Sequence, residues 1–174
     1  LLRRQMHRNY RKPLIIMSPK SLLRHPEAVS KPADFLSGRF QNVIGETNDT
    51  IKPQSVKRAL FCSGKVFYEL NDERNKAGIT DTAVIRVEQL YPFLDIAIES
   101  ILNQYPKLEE VGWVQEEPRN QGAWIYIENL LGHLSRNRLN YYGRPASPSP
   151  ATGFHKVHVQ EQISLLHEAL LLDK

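Results

Sequence analysis

Residues 57–87, KRALFCSGKVFYELNDERNKAGITDTAVIRV, hold the pattern that decides the fold. Two apolar runs, 57–63 and 82–87, have the length and composition of buried strands. Between them, the stretch 64–76 carries apolar side chains at helical spacing, and Gly78 is the type of residue that ends a helix. A strand, a helix and a second strand in this order are typical of a sheet whose strands run parallel.

The same alternation of strands and helices continues along the rest of the chain. Further strands are predicted at 13–17, 110–116 and 139–142, and further helices at 94–105, 122–134 and 158–172. The run 13–17, PLIIM, is apolar without alternation, which predicts a strand buried on both faces. A single helical turn at 20–24, a short helix near 32–37 and an extended piece near 39–44 complete the prediction. The side chains expected to face the sheet are Val66, Phe67, Leu70 and the stem of Arg74 from one helix, and Val159, Ile163, Leu166 and Leu170 from the last.

These elements predict a three-layer α/β domain, in which a five-stranded, mostly parallel sheet lies between helices. The 174 residues suffice for one ordinary core. No apolar run approaches the roughly 20 residues of a membrane span, and the first residues lack the apolar segment of a signal peptide. The lone Cys62 excludes an internal disulfide and is predicted to be a buried strand residue. We therefore expect neither a membrane protein nor a disulfide-rich secreted protein.

The basic residues are distributed unevenly. The formal net charge is +4, and residues 1–24 hold seven basic side chains and no acid. A basic arm of this kind occurs in nucleic-acid-binding proteins. Here, however, Lys12 and Lys20 bracket the apolar run 13–17, which favours a folded surface or an interface. No nucleic-acid partner is predicted.

Few patterns in the sequence are typical of ligand sites. Cys62-Ser-Gly-Lys65 places backbone N–H groups and a lysine at a helix N-terminus, which suits an anion. The spacing is not that of a P-loop, and no GxGxxG dinucleotide fingerprint occurs. We favour a tight strand-to-helix turn without a ligand over an anion site. None of the six histidines has a metal-ligand spacing, so no metal site is predicted.

The stretch 113–124, WVQEEPRNQGAW, contains two adjacent acids, Glu116 and Glu117. Neighbouring residues on a strand point to opposite faces, whereas an acid–base pair must aim both carboxylates at one substrate. The two acids are therefore not a catalytic dyad. The stretch instead predicts the end of a parallel strand, a polar turn and a helix that begins near Gly122. One acid is expected to point into the crevice beyond the strand ends, where ligands and partner domains lie.

Several stretches, taken together and in this order, closely resemble one known family. The resemblance is to the C-terminal end of the 2-oxoglutarate dehydrogenase family, the thiamine-diphosphate-dependent decarboxylating component of its complex. It covers nearly the whole chain. The stretches that carry it are RKPLIIMSPKSLLRHP (11–26), CSGK (62–65), RVEQLYPF (86–93), QEEPRNQGAW (115–124) and GRP (143–145).

The resemblance implies a transketolase C-terminal type of domain, with a five-stranded mixed sheet in which one edge strand is antiparallel. Residues 1–12 would be the tail of an interdomain helix and a linker, and residues 13–174 the domain itself. The parent enzyme would be a homodimer that decarboxylates 2-oxoglutarate on thiamine diphosphate with magnesium, in the tricarboxylic acid cycle. It would pass the succinyl group to a lipoyl-bearing succinyltransferase.

The resemblance also sets expectations for cofactors and site residues. The family's Gly-Asp-Gly magnesium–diphosphate motif is absent from this sequence, so these residues alone are expected neither to bind the cofactor nor to catalyse. The expected role is assembly with upstream domains and a dimer partner. The residues expected near an interface or active site are Glu116, Glu117, Gln121 and Trp124. A possible effector site for phosphates comprises Lys12, Lys20 and Arg24.

Other functions remain open from the sequence. One is the same domain of a 2-oxoadipate dehydrogenase paralogue, and another is a stand-alone α/β ligand-binding module. For Lys12, Lys20 and Arg24 we favour a solvated or interdomain basic face over an effector site. The resemblance implies a cytoplasmic location in a bacterium and the mitochondrial matrix in a eukaryote.

Overall fold

The structure is a computed structural model that describes residues 1–135 and 138–172. The chain divides into two units with their own internal contacts, Leu1–Gln41 and Asn42–Lys174. Among the described residues, no helix combines the length and the apolar character that crossing a bilayer requires.

The first unit contains three short helices and no strand among its residues. They are the α-helix α1 (Leu2–Met6), a 3-10 helix at Lys20–Arg24 and the α-helix α2 (Pro32–Ser37). The helical predictions at 20–24 and 32–37 are confirmed. In α2, the backbone N–H of Lys31 donates to the carboxylate of Asp34 over 2.9 Å, which caps the helix.

The strand predicted at 13–17 is wrong. These residues have no regular secondary structure, and Ile15 and Met17 are 79% and 91% exposed. An apolar run becomes a strand only where a neighbouring strand supplies hydrogen bonds along its length. Pro13, the first residue of the run, and Pro19, two residues after it, also lack a backbone donor.

The second unit alternates strands and helices as predicted. Its strands are β1 (Val43–Ile44), β2 (Arg58–Cys62), β3 (Thr82–Val87), β4 (Glu110–Val114) and β5 (Arg138–Tyr142). Its helices are a 3-10 turn at Pro53–Ser55 and α3 (Val66–Lys76), α4 (Asp95–Leu102), α5 (Trp124–Leu134) and α6 (His155–Leu170). The sheet has the order β1-β3-β2-β4-β5, in which β1 is antiparallel to β3 and the other pairs are parallel. This confirms the mixed, mostly parallel five-stranded sheet. Its antiparallel edge strand is β1, within the extended piece predicted near 39–44, and not the run 13–17.

The central strand β2 separates two hydrophobic clusters. Ala59 and Phe61 belong to the cluster under α4 and α5, whereas Leu60 and Cys62 belong to the cluster under α3 and α6. All four side chains are fully buried. The unit thus has the predicted three layers. Burial raises the pKa of the Cys62 thiol to about 12, which agrees with a structural strand residue.

Several predicted boundaries differ from the observed ones by one to three residues. The helix predicted at 94–105 is Asp95–Leu102, and the strand predicted at 110–116 ends at Val114. The next helix begins at Trp124, and the last helix begins at His155 and ends at Leu170. The residue after β4, Gln115, still donates its backbone N–H to the carbonyl oxygen of Tyr142 over 3.1 Å, and its side chain binds the backbone of the loop that follows.

The inner face of α6 was only partly predicted. Leu166 and Leu170 are buried, but Val159 and Ile163 are 41% and 43% exposed. The buried residues are Gln162, Leu165, Leu166, Ala169 and Leu170. The expected stripe was displaced because a polar residue, Gln162, occupies an inward position through its hydrogen bonds.

Candidate functional site

Three of the sequence stretches that carry the family resemblance meet at one edge of the sheet. The parallel strands β2, β4 and β5 end at the same edge, and each is followed by one of these stretches. They are CSGK after β2, QEEPRNQGAW after β4 and GRP after β5. This carboxyl edge is where ligands and partner domains lie in parallel sheets.

Gln115 organises the loop that leaves β4. Its side-chain oxygen accepts hydrogen bonds from Trp113 Nε1 and from the backbone N–H of Trp124, both over 2.9 Å. Its side-chain nitrogen donates to three backbone carbonyl oxygens, those of Glu117 (3.2 Å), Pro118 (3.2 Å) and Gln121 (2.8 Å). Because Gln115 is only 4% exposed, these bonds replace water and fix the shape of the loop.

Two glycines allow the close approach that this arrangement needs. Gly122 has a φ of +66°, and a Cβ there would lie 2.9 Å from the side-chain nitrogen of Gln115. A Cβ on Gly143 would lie 2.8 Å from the carbonyl oxygen of Gln115 and still closer to Tyr141 Oη. A side chain at either position would collide with the loop or with its support.

Glu116 forms an internal ion pair. Its carboxylate accepts a short hydrogen bond from Lys65 Nζ, which also lies 3.2 Å from Glu69. Burial opposes the charge on Lys65, but the hydrogen bond and charge of Glu116, and those of Glu69, outweigh it and raise the pKa of Lys65. The lysine of the CSGK stretch therefore neutralises carboxylates of the same unit. Gly64, with a φ of +79°, makes the tight turn that was favoured for this stretch.

Arg144 connects the loop to α6. Its guanidinium donates to the carbonyl oxygen of Glu116, which lies on the loop. It also contacts three side chains of α6: Glu161 (2.8 Å), Gln162 (3.0 Å) and His158 (3.3 Å). Gln162 in turn donates to Glu69 over 2.6 Å. The result is a continuous polar network from α3 through the loop to α6, in which the buried parts are paired.

The four residues predicted to lie near an interface or active site have different surroundings. Glu116 is turned into the network and its side chain is 20% exposed. Glu117 is exposed, and its carboxylate has no hydrogen-bond partner within the described part of the chain. Gln121 donates to the carbonyl oxygen of Ser147 over 3.1 Å, and Trp124 is 4% exposed at the start of α5. Of the two acids, Glu117 is the one available to an external partner.

The three residues considered as an effector site for phosphates lie in the first unit. Lys12, Lys20 and Arg24 are all exposed there. Lys12 stands 5.6 Å from the ring centre of Tyr10, and the other two lie at opposite ends of the 3-10 helix. The same unit contains a pocket of about 520 Å³ lined by other residues, namely Leu1, Arg3, Arg4, His7, Arg8, Gly38, Arg39 and Phe40.

Three residues that build this edge were not among the predicted site residues. They are Lys65, which was weighed only as part of an anion-binding turn, and Gln115 and Arg144, which lie within quoted motifs and were given no role. Their signal was positional, because each follows the end of a parallel strand by one to three residues. Among the described residues, no group of three His, Cys, Asp or Glu side chains is arranged to hold a metal ion.

The fold and this edge define a class, the C-terminal domains of the 2-oxoglutarate dehydrogenase family. The profile of the family described as "2-oxoglutarate dehydrogenase C-terminal" matches residues 29–170, and the chain belongs to this family.

Several similar proteins bear the name 2-oxoglutarate dehydrogenase E1 component. The one from Cupriavidus necator is 47% identical over 171 residues, and the one from Haemophilus influenzae is 46% identical over 172 residues. The one from Azotobacter vinelandii is 42% identical over 174 residues. The matches cover 97–98% of this chain but only 18% of each relative. The chain therefore spans less than a fifth of the length of these relatives.

Proposed function

We propose that this chain is the C-terminal assembly domain of a 2-oxoglutarate dehydrogenase. The observation that carries the proposal is the extent of the similarity. It covers 97–98% of the chain at 42–47% identity, yet only 18% of the relatives. A piece of a large enzyme that lacks a cofactor motif is best suited to holding the other parts together.

The parent enzyme of this proposal oxidatively decarboxylates 2-oxoglutarate and transfers the succinyl group to the lipoyl group of a succinyltransferase. It works as a homodimer in the tricarboxylic acid cycle, in the bacterial cytoplasm or the mitochondrial matrix. The chain contributes contacts to the preceding parts of the same polypeptide. Residues 1–12 serve as interdomain helix and linker, and 13–174 as the domain.

Thiamine diphosphate and magnesium bind outside this chain in the proposal. The sequence contains no Gly-Asp-Gly, and the described residues hold no three-ligand cluster of His, Cys, Asp or Glu. At the carboxyl edge, Lys65 and Arg144 are already paired with Glu116, Glu69 and Glu161. These two cations are thus neutralised within the unit and do not fit a diphosphate–metal group.

Glu117 and Trp124 have complementary roles in assembly. Glu117 stands exposed on a loop that Gln115 holds rigid, so a basic group of another domain can pair with it at little ordering cost. Trp124 lies buried behind it and anchors the start of α5. We expect Glu117→Gln to lower the activity of the full-length enzyme and to leave the stability of the isolated chain unchanged. Unchanged activity of that variant would remove Glu117 from the interface.

Lys12, Lys20 and Arg24 remain a proposed site for a phosphate-bearing effector. Their exposure and their positive charge support it. Inorganic phosphate or a nucleotide that fails to protect any of the three from chemical modification would remove this part of the proposal.

The test of the cofactor claim compares two forms of the protein. Full-length enzyme and the isolated chain are each titrated with thiamine diphosphate and magnesium in a calorimeter. The proposal expects binding and 2-oxoglutarate decarboxylation by the full-length enzyme, and neither by the chain. Micromolar binding by the isolated chain would overturn the claim.

A further inference from the structure

Five apolar side chains, four of them exposed and Phe93 partly buried against the core, lie on the side of the sheet that carries α4 and α5. Three of them are largely exposed: Tyr91 (80%), Ile96 (85%) and Ile125 (61%). The patch comprises Tyr91, Phe93, Ile96, Ile125 and Tyr126, and is called the aromatic patch below. All five lie in the loop before α4 or in the first turns of α4 and α5. Clustered exposed apolar groups on a soluble protein usually mark an interaction site.

The aromatic side chains of the patch contact one another. The ring centre of Tyr126 lies 6.3 Å from that of Tyr91 and 6.5 Å from that of Phe93, the latter in an edge-on arrangement. These are the separations of paired aromatic rings. Tyr126 therefore joins the loop to α5, and the rings form one surface.

The helices that bear the patch are acidic. Asp95 and Glu99 on α4 and Glu128 on α5 are exposed, and neither helix contains a lysine or an arginine. Interfaces match an apolar centre with a rim of opposite charge on the partner. The partner that fits is therefore an apolar surface bordered by lysine or arginine.

We propose that the aromatic patch docks onto the part of the parent polypeptide that the longer relatives possess and this chain does not. This inference rests on the proposed function and names the surface through which assembly occurs. Its first support is length, because the chain spans only 18% of its relatives and leaves a large body of protein available as the occupant.

The size of the patch favours an occupant in the same polypeptide over a second copy. A stable interface between separate proteins uses roughly 20–30 residues on each side. The patch offers five apolar residues. Two domains on one chain meet at an effective concentration of about millimolar, so a much smaller surface is sufficient to hold them together.

The surface is also fixed before the partner arrives. The backbone N–H of Trp124, at the start of α5, is bound by Gln115, and the Trp124 ring packs 5.1 Å from the ring of Tyr141. Ile125 and Tyr126 follow directly on this anchored residue. A surface presented in this way loses little conformational freedom on docking.

The test uses Ile125→Asp, with Ile163→Asp as the matched control. Ile163 is 43% exposed in the middle of α6, which packs on the other side of the sheet, so the same chemical change is made on a helix surface away from the patch. Each variant is made in the full-length enzyme and in the isolated chain. The readout is the rate at which limited proteolysis releases a C-terminal fragment near the 20.1 kDa of this chain.

We expect Ile125→Asp to accelerate fragment release about tenfold, which corresponds to about 1.4 kcal/mol of docking free energy. Ile163→Asp should have no such effect. In the isolated chain, both variants should unfold at the temperature of the unmodified chain, because neither side chain is in the core.

Three results would overturn the proposal. Equal release rates for the two variants would show that the patch does not dock. Lower thermal stability of isolated Ile125→Asp would show a local folding role. Self-association of the isolated chain at micromolar concentration, lost in Ile125→Asp, would make a second copy the occupant. None of these readouts needs catalysis, so an enzyme inactive towards 2-oxoglutarate would contradict the proposed function and leave the patch to be decided separately.

Discussion

At the scale of single residues, Gln115 affects both the stability of the loop after β4 and the exposure of Glu117 on it. One amide satisfies the indole N–H of Trp113, the first backbone N–H of α5 and three loop carbonyls. The same loop presents Glu117 to the outside. Stability of the loop and availability of the exposed acid therefore depend on one buried side chain.

Replacing Gln115 by methionine keeps the length of the side chain and removes its polar atoms. We expect the free energy of unfolding to fall by about 2–4 kcal/mol, because several buried donors and acceptors lose their partner. Urea denaturation of the isolated chain measures the change. Gln104→Met is the control, since this exposed glutamine makes a single local hydrogen bond of 3.3 Å. A loss no larger than that of the control would contradict the role of Gln115.

Glu110 makes the stability of the domain depend on pH. Burial of its carboxyl opposes ionisation, but hydrogen bonds from Tyr142 and Asn140 and the charge of Arg58 outweigh burial and lower its pKa. The folded-state pKa thus lies below the ordinary value of 4.5. The ionised group stabilises the fold above about pH 4.5, and this contribution is lost as the pH falls through the lower, folded-state pKa.

Glu110→Gln should therefore flatten the acid side of the stability profile. We expect the free energy of unfolding of the unmodified chain to fall more steeply below pH 4.5 than that of the variant. Denaturation curves at a series of pH values provide the slopes. Glu109→Gln, at the exposed neighbouring position, is the control and should keep the unmodified slope. Parallel profiles for Glu110→Gln and the unmodified chain would show that this carboxyl is not linked to folding.

At the scale of elements, a buried ion pair ties α3 to the sheet and to the segment after β1. The Arg74 guanidinium is fully buried and pairs with Glu46, whose side chain is 9% exposed. It also donates to the carbonyl oxygen of Thr82 over 3.1 Å and to Asn71 over 2.7 Å. The sequence predicted that the stem of Arg74 faces the sheet, but not the acid that meets it.

Arg74→Met preserves the apolar stem and leaves the Glu46 carboxylate without its cation. We expect a loss of about 3–5 kcal/mol, because a stranded buried charge costs far more than a lost surface contact. Lys76→Met, two residues further along α3, is the matched control. Its ion pairs with Asp72 and Glu73 are exposed to solvent, which screens them, so their loss should change stability far less. Thermal and urea unfolding of both variants make the comparison, and similar losses would contradict the burial argument.

Local sequence patterns predicted most strands of the sheet but not which segment forms its antiparallel edge strand, β1. The bounds of β2 and β3 were predicted to within one residue, because a parallel strand buried on both faces has a continuous apolar sequence. The run 13–17 has the same appearance and forms no strand, since pairing depends on a partner that local sequence does not specify. The predicted stripe of α6 failed for a related reason. Gln162 faces inward only because Glu69 and Arg144, distant in sequence, offer it hydrogen bonds.

The sequence predicted where the candidate site lies but not what each of its residues does. The turn after β4 was expected at the crevice, and the structure puts it at the carboxyl edge of the sheet. Which of the two acids faces outward could not be read from their adjacency. That choice is made by Lys65, which lies 51 residues earlier in the chain and binds Glu116. Glu117 is left exposed as a result.

At the scale of the whole molecule, the second unit combines a paired polar network at the carboxyl edge of its sheet with polar and apolar groups that remain exposed. Ion pairs within the unit hold Lys65 and Arg144, whereas Glu117 and most of the aromatic patch are exposed. This division is what an assembly part of a larger enzyme requires, because specificity and contact area face the partner.

The most direct test uses the native protein from source cells, captured with an antibody raised against this chain. The measurement is thiamine-diphosphate-dependent release of carbon dioxide from 2-oxoglutarate by the captured material. The account predicts activity that resides in a polypeptide roughly five times the 20.1 kDa of this chain, since the chain spans 18% of its relatives. A captured polypeptide near 20.1 kDa without decarboxylase activity would contradict the account and would indicate a free-standing module.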